Sequence, residues 1–253
     1  MRLRTLSIVT LAFTAGCASV PKKSAEFDRV AGEMQSMSVM PPDFTLTQMG
    51  AFSAELASEM TLDIEDELQT ALEALVSESR YQLARLLVTD SVLAINPELR
   101  EVLFAHAQQL AETRQGLVAT AGKSIDVKFG GNLDYFADLV NSDHFVFVQG
   151  SGWFSTAGAQ VMAGVMAGLF GTYGDMSGIT LEAMLVDTNL GEVLWYNSAS
   201  TKNKDPRKPR DLLHCAQKLM APLLGQSALK GDKSRDEVII QKYRTRLEAA
   251  KGP

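Results

Sequence analysis

Three histidines, two cysteines and a Gly-Ser-Gly stretch are the residues of this chain whose types could do chemistry. His106, His144 and His214 would serve as general bases or metal ligands, yet none stands in HExxH or another compact metal-binding spacing. His144 precedes a stretch that reads as a buried strand, so a functional pair would need a distant acid. Ser151, between Gly150 and Gly152, lacks the GxSxG elbow and suits a strand end better than attack on an ester. Cys215 has His214 beside it, but neighbours one apart on a helix do not face each other. A small buried apolar side chain is the plainer reading of that thiol. There is no phosphate-binding loop or dinucleotide fingerprint, and Asp138 and Asp143 read as ordinary helix and loop carboxylates. The chain is therefore expected to be noncatalytic, with no cofactor and no metal.

Cys17 has a different setting. The leader MRLRTLSIVTLAFTAGC places Arg2 and Arg4 before an apolar run over residues 6–15 and small residues before the cysteine. This is an export signal, to be set aside before any reasoning about fold. Thr14, Ala15, Gly16 and Cys17, with Leu11 upstream, resemble the lipobox of bacterial lipoproteins. The resemblance implies cleavage before Cys17 and lipidation of that cysteine with several acyl chains, more than the single chain that anchors only reversibly. Outer-membrane lipid is thus an expected partner through Cys17. Ala18, rather than aspartate, resembles the outer-membrane default and implies the periplasmic face of that membrane. A soluble exported protein with an incidental Cys17 is the alternative.

Charge narrows the partners further. The chain has 24 Lys+Arg against 30 Asp+Glu, a net charge of -6. Loss of Arg2 and Arg4 with the leader leaves 22 against 30, or -8, which argues against nucleic acid. With Cys17 committed to lipid, Cys215 has no disulfide partner, so the fold must rely on its core.

The elements that must position these residues follow from periodicity. The expected organisation is a signal peptide over 1–16, a lipidated cysteine and tether over 17–41, one α/β domain over 42–227 and a charged tail over 228–253. A helix over 27–37 packed on the body is the alternative to the tether. DFTLTQM alternates as a first strand. TLDIEDELQTALEALV follows, with a cap expected at Thr61 and with Ile64, Leu68, Leu72 and Leu75 at helical spacing. YQLARLLV reads as a second strand, and Pro97 and Gly116 bracket another helix. SIDVKF is a short third strand; Leu133, Phe136, Ala137 and Val140 make one helix face. HFVFVQG is a β-branched and aromatic strand, central in its sheet.

GAQVMAGVMAGLFGTYG has no charge, but its apolar run over 161–170 is shorter than the roughly 20 residues needed to span hydrocarbon. It is expected to be a crossover helix whose apolar face packs on the sheet, on its own copy, or on both. Gly164 and Gly168 would permit close approach, so bulky replacements there are expected to overpack. Phe154, Met162, Met166 and Phe170 are candidates for an apolar groove or, with the glycines, a self-association surface. GITLEAMLVDTNLGEVLWYNSAS reads as a β-hairpin, with Val193 and Trp195 alternating against Leu194 and Tyr196, and with Gly191 at a turn position suited to positive φ. A basic, proline-broken loop, TKNKDPRKPR, and a closing helix, DLLHCAQKLMAPLL, complete the domain.

SDHFVFVQGSGW together with the hairpin is similar to the pattern in bacterial envelope lipoproteins related to the curli secretion lipoprotein and to the lipoprotein activators of penicillin-binding proteins. Asp187, Gly191, Glu192 and Trp195 are the matching positions. The resemblance implies a layered α/β domain with a mixed sheet and packed helices, resembling the N-terminal domain of the Tol-system propeller protein. It also implies an accessory or scaffold role in a cell-envelope assembly, with an envelope protein or a second copy of the chain as partner. A lipid- or peptide-binding module, or a hydrolase whose site does not declare itself, are the competing readings.

Overall fold

The computed structural model describes residues 21–84, 112–117, 124–129, 137, 142–170, 175–225, 236–238, 240, 241 and 245. Its elements are β1 (Lys22–Lys23), α1 (Phe27–Glu33), β2 (Ser36–Val39), β3 (Asp43–Met49), β4 (Ala54–Leu56), α2 (Ser58–Ser77), β5 (Gln82–Leu83), β6 (His144–Ser155), α3 (Ala157–Phe170), β7 (Ser177–Asp187), β8 (Glu192–Lys202) and α4 (Pro209–Leu224).

Three long strands form the frame, because residues 144–155, 177–187 and 192–202 are rich in Val, Phe, Leu, Ile, Trp and Thr, which suit a pleated surface. β6 pairs antiparallel with β7, and β7 antiparallel with β8. On the other side of β6, two strands lie one after the other in parallel: β2 beside Phe145 and Val146, then β3 beside residues 149–155. The sheet is therefore mixed, in the order β1-β8-β7-β6-β2-β5, with β3 on β6 and β4 on β3.

The two faces are covered unequally. Over one face lie α1, α2 and α4, burying Leu68, Leu72 and Leu219 against Val148, Leu181 and Trp195. The expected spacing of α2 is what buries it: Ile64, Leu68, Leu72 and Leu75 all point into this core. Thr61 is not its cap, since α2 begins at Ser58 and the Thr61 hydroxyl donates to the Ala57 carbonyl. Glu65, on the same helix, accepts the Phe44 N–H at 2.9 Å and so fastens α2 to β3. Burial raises the pKa of that carboxyl, and the Phe44 hydrogen bond opposes the rise. Across the sheet, Leu117, Ile125 and Phe129 cover Phe145, Phe147, Met184 and Val186. The rings of Phe129 and Phe147 stack at 5.4 Å.

One expectation about fold class is corrected. The mixed sheet with helices packed on it is present, but the likeness to the N-terminal domain of the Tol-system propeller protein does not hold. A closed sheet requires its outermost strands to meet, whereas β1 pairs with β8, β5 with β2, and the sheet stays open between them.

Several stretches fall differently from their sequence reading. Residues 21–41 join the body: β1 pairs with Tyr196 and Trp195 of β8, α1 buries Phe27, Val30 and Ala31, and β2 lies inside the sheet. SIDVKF forms only two isolated bridges, Ser124 with Lys23 and Lys128 with Glu192. Of YQLARLLV, only Gln82 and Leu83 form a strand among the described residues. The helices expected around Pro97 and Leu133 fall mostly outside the described residues, apart from helical turns at 112–117 and at Ala137.

The largest displacement concerns α3. It is a helix, as its sequence suggests, but not a crossover packed on a face. Its flanking strands are antiparallel neighbours, with Phe154 opposite Ser177. Such strands need only a reversal at one end, whereas a crossover is required between parallel strands. The helix accordingly stands at the end of the sheet, with Val161 69% and Leu169 70% exposed.

Candidate functional site

The β7–β8 hairpin carries four of the residues singled out from sequence. Asp187 is buried, and its Oδ1 accepts the Leu190 N–H at 3.0 Å, closing the turn. Gly191 takes φ +62°, the left-handed conformation that glycine adopts without strain. Glu192 opens β8 opposite Asp187. Trp195 is fully buried in the core beneath α4. The strict alternation expected around it is broken by a bulge: Leu185 pairs with Trp195 and Val186 with Val193, which leaves Leu194 as the extra residue. Leu194 and Trp195 consequently join the core on one face, while Val193 and Tyr196 join the core on the other. The Leu194 carbonyl turns to accept the Ser24 N–H at 2.8 Å.

His144 sits opposite Asp187 in the β6–β7 register, with Nε2 3.4 Å from Oδ2. That separation is an ion-pair approach when the ring is protonated, longer than an ordinary hydrogen bond. Burial works against the Asp187 charge, but His144 and the backbone N–H groups of Leu190 and Asn189 prevail and hold its pKa below the usual carboxylate value. The acid that His144 required is thus present, and it is engaged in the hairpin turn. Ser142 Oγ contacts the backbone of His144, not its ring.

The other candidates for chemistry are kept apart. Ser151 lies seven residues along β6 from His144, about 23 Å at 3.3 Å per residue. Its neighbours form a polar groove with Thr45, Gln149, Thr180 and a bidentate Arg114–Glu182 ion pair. Cys215 is buried on α4, and desolvation pushes its thiol up to about 11, the opposite of an activated nucleophile. His214 points outward on the same helix; loss of water around the ring, then Lys218 and Lys204, lower its pKa. His106 lies outside the described residues. Among the described residues no group of three His, Cys, Asp or Glu side chains is placed to hold a metal ion.

At the opposite end of the hairpin, the groove candidates divide. Phe154 is buried at the end of β6, with the Arg207 guanidinium 3.8 Å from its ring centroid. Met162, Gly164 and Met166 are exposed on α3, together with Val161, Val165 and Leu169. Gly168 and Phe170 belong to the same helix, and their side-chain surroundings lie outside the described residues. Among the described residues Phe154 and α3 line no common apolar groove; between Phe154 and Gln160 lies a polar cleft bordered by Asn203, Arg207 and Lys208. A Cβ on Gly164 would meet nothing within 4 Å, so among the described residues of this chain that glycine makes no close helix contact.

Sequence reasoning noted the basic loop but not its place. The β8–α4 connection brings Lys202, Lys204, Arg207, Lys208 and Arg210 to the end of the sheet that carries α3. Lys202 approaches Asp175, Lys204 approaches Asp211, and Arg207 forks onto Asp205. Lys208 and Arg210 make no ion pair among the described residues. Phe52 was missed altogether. It is 92% exposed between β3 and β4, and Thr156, just before α3, donates its N–H to Met49 beside that turn.

No family model matches the chain, and neither does any curated protein. Remote similarity is found to solved structures of bacterial proteins. The PelC dodecamer from Paraburkholderia phytofirmans is 11% identical with a TM-score of 0.37, over 83% of this chain and 94% of that one. Lipoprotein GNA1162 from Neisseria meningitidis is 14% identical with a TM-score of 0.30, over 66% and 79%. The C-terminal domain of LpoB from Salmonella enterica is 12% identical with a TM-score of 0.23, over 69% and 94%.

Proposed function

We propose that this chain is a noncatalytic accessory or scaffold protein of a cell-envelope assembly, anchored by lipid on Cys17 to the periplasmic face of the outer membrane. The observation that carries the reading is the position of Cys17. It closes an export leader, and the first strand begins only five residues later, at Lys22. At no more than about 3.6 Å per residue, an acylated Cys17 lies within about 18 Å of that strand. The anchor would hold the body against the bilayer instead of letting it stand off on a long tether.

The noncatalytic part rests on where the reactive side chains are engaged. His144 and Asp187 finish a turn, the Cys215 thiol is sealed and held protonated, and Ser151 has no imidazole within reach along its strand. The partner is an envelope protein or a second copy of this chain, and the four hairpin positions serve to hold the domain together. Metabolic labelling with a clickable fatty acid is expected to tag the parent protein and not Cys17→Ser. Equal labelling of the two overturns the anchor.

A further inference from the structure

We infer that the end of the sheet carrying α3 docks on a phospholipid bilayer, with α3 lying in the plane of the interface and the cations of the β8–α4 loop beside anionic headgroups. The inference rests on the anchored-lipoprotein reading for which membrane is met, and adds a second contact that does not depend on the acyl chain.

The composition of α3 is the first argument. From Ala157 to Phe170 it has no charged side chain, and Gln160 is its single polar one. Its exposed apolar residues, Val161, Met162, Val165, Met166 and Leu169, span an arc of about 140° at 100° per residue, wider than the seam of a helix pair. Fourteen residues make a helix about 21 Å long, short of the roughly 30 Å of hydrocarbon, and no described helix is long and apolar enough to cross a membrane. A helix too short to span that leaves an apolar face this wide uncovered presents the kind of surface that a partner or a membrane covers.

Charge complementarity is the second. The chain is acidic overall, yet residues 201–210 hold five cations against Asp205 alone. Gln160, in the first turn of α3, borders the same cleft as Arg207 and Lys208. The polar rim that α3 itself lacks is thus supplied by the adjacent loop. A second copy docked through α3 would bring two such basic loops near each other and leave Lys208 and Arg210 without counter-charge.

The course of the chain is the third. β1 runs antiparallel to β8, with Lys22 opposite Tyr196 and Lys23 opposite Trp195. The chain therefore enters β1 from the Lys202 side, the side of α3 and the basic loop. The entry to β1 and α3 thus lie toward the same end of the sheet, and the exposed Phe52 is at that end too.

Flotation with vesicles tests the inference, using the unacylated chain from residue 18, which keeps every described element. The parent is expected to float with vesicles of 70% phosphatidylethanolamine and 30% phosphatidylglycerol at low salt. Val165→Glu with Leu169→Glu is expected to lower partitioning at least tenfold. Lys208→Glu with Arg210→Glu should lower it by at least about 25-fold, at roughly fivefold for each attraction lost, and barely change it on phosphatidylcholine alone. All four positions are exposed, so an unchanged denaturation midpoint certifies the fold of each variant. A dye on Val165→Cys, whose thiol is accessible where Cys215 is not, should shift to the blue on binding. No flotation of the parent, or flotation indifferent to the α3 glutamates, overturns the inference. So does a lipid-free oligomer that those glutamates dissolve without any vesicle binding, which assigns α3 to a second copy. Acyl labelling of Cys17 in the full chain reads the anchor separately: a labelled anchor without flotation removes the docking surface alone, and flotation without labelling removes the anchor alone.

Discussion

The two ends of the β6–β7–β8 sheet are finished in opposite ways. At one end the chain turns through residues 188–191: the Asp187 carboxylate accepts the Leu190 N–H, Gly191 takes the left-handed conformation, and His144 on the neighbouring strand faces the carboxylate at 3.4 Å. At the other end the chain leaves β6 into α3, fourteen uncharged residues in which Val161, Met162, Val165, Met166 and Leu169 are all exposed. The first end is complete within this one chain. The second is chemically incomplete, because exposed apolar area on this scale is ordinarily covered by a partner or a membrane. The difference teaches that the exposed helix is not a failure of the fold: Phe154, Ile179 and Leu181 are buried in a core to which α3 contributes no described residue.

The sharpest way to break this comparison is to truncate the residue that anchors the finished end. Trp195→Ala empties a site with no exposed side-chain surface, and a loss of about 3 to 5 kcal/mol is expected from chemical denaturation. The indole N–H has no hydrogen-bond partner among the described residues, so the loss comes from packing and not from a broken hydrogen bond. An unchanged midpoint would mean that this end is no better packed than the other.

A smaller effect separates the charge of the turn from its shape. Asp187→Asn keeps an Oδ1 acceptor for Leu190 but removes the negative charge facing His144. A cost on the order of 1 kcal/mol is expected at pH 7, the scale of one charge-assisted contact. Because the Asp187 pKa is lowered in the fold, its contribution is present above the unfolded carboxylate value near 3.9 and is lost as pH falls through the depressed folded value. The gap between parent and Asp187→Asn should therefore close on acidification over that range. A gap that is constant with pH would assign the role to turn geometry instead.

How much of this was legible in the sequence differs between the ends for a physical reason. DFTLTQM and the hairpin strands were readable because period-two alternation is a local signal, and the Gly191 turn because its chemistry is completed within five residues. The bulge at Leu194 was not, since it shows only in register with β7. Nor were β1 and β5, two residues each, whose pairing partners lie far along the chain. The helical state of α3 could be read, but its position could not: whether β6 and β7 are parallel or antiparallel decides between a crossover and a projecting helix. The meeting of Gln160 with Arg207 and Lys208 likewise needs the register of three strands.

The smallest effect has the opposite sign and tests the unfinished end directly. If α3 were packed closely on the sheet through its glycines, as its small-residue spacing suggests, any side chain at Gly164 would clash and destabilise. In the structure a Cβ there meets nothing within 4 Å. Gly164→Ala should then act only through helix propensity and the entropy of the unfolded chain, stabilising the unacylated protein by about 0.5 to 1 kcal/mol. Denaturation of parent and variant at several protein concentrations reads this gain and its dependence on association. A loss in place of the gain, growing with concentration, would mean that Gly164 already contacts a second copy, and the contrast between the two ends would vanish in solution.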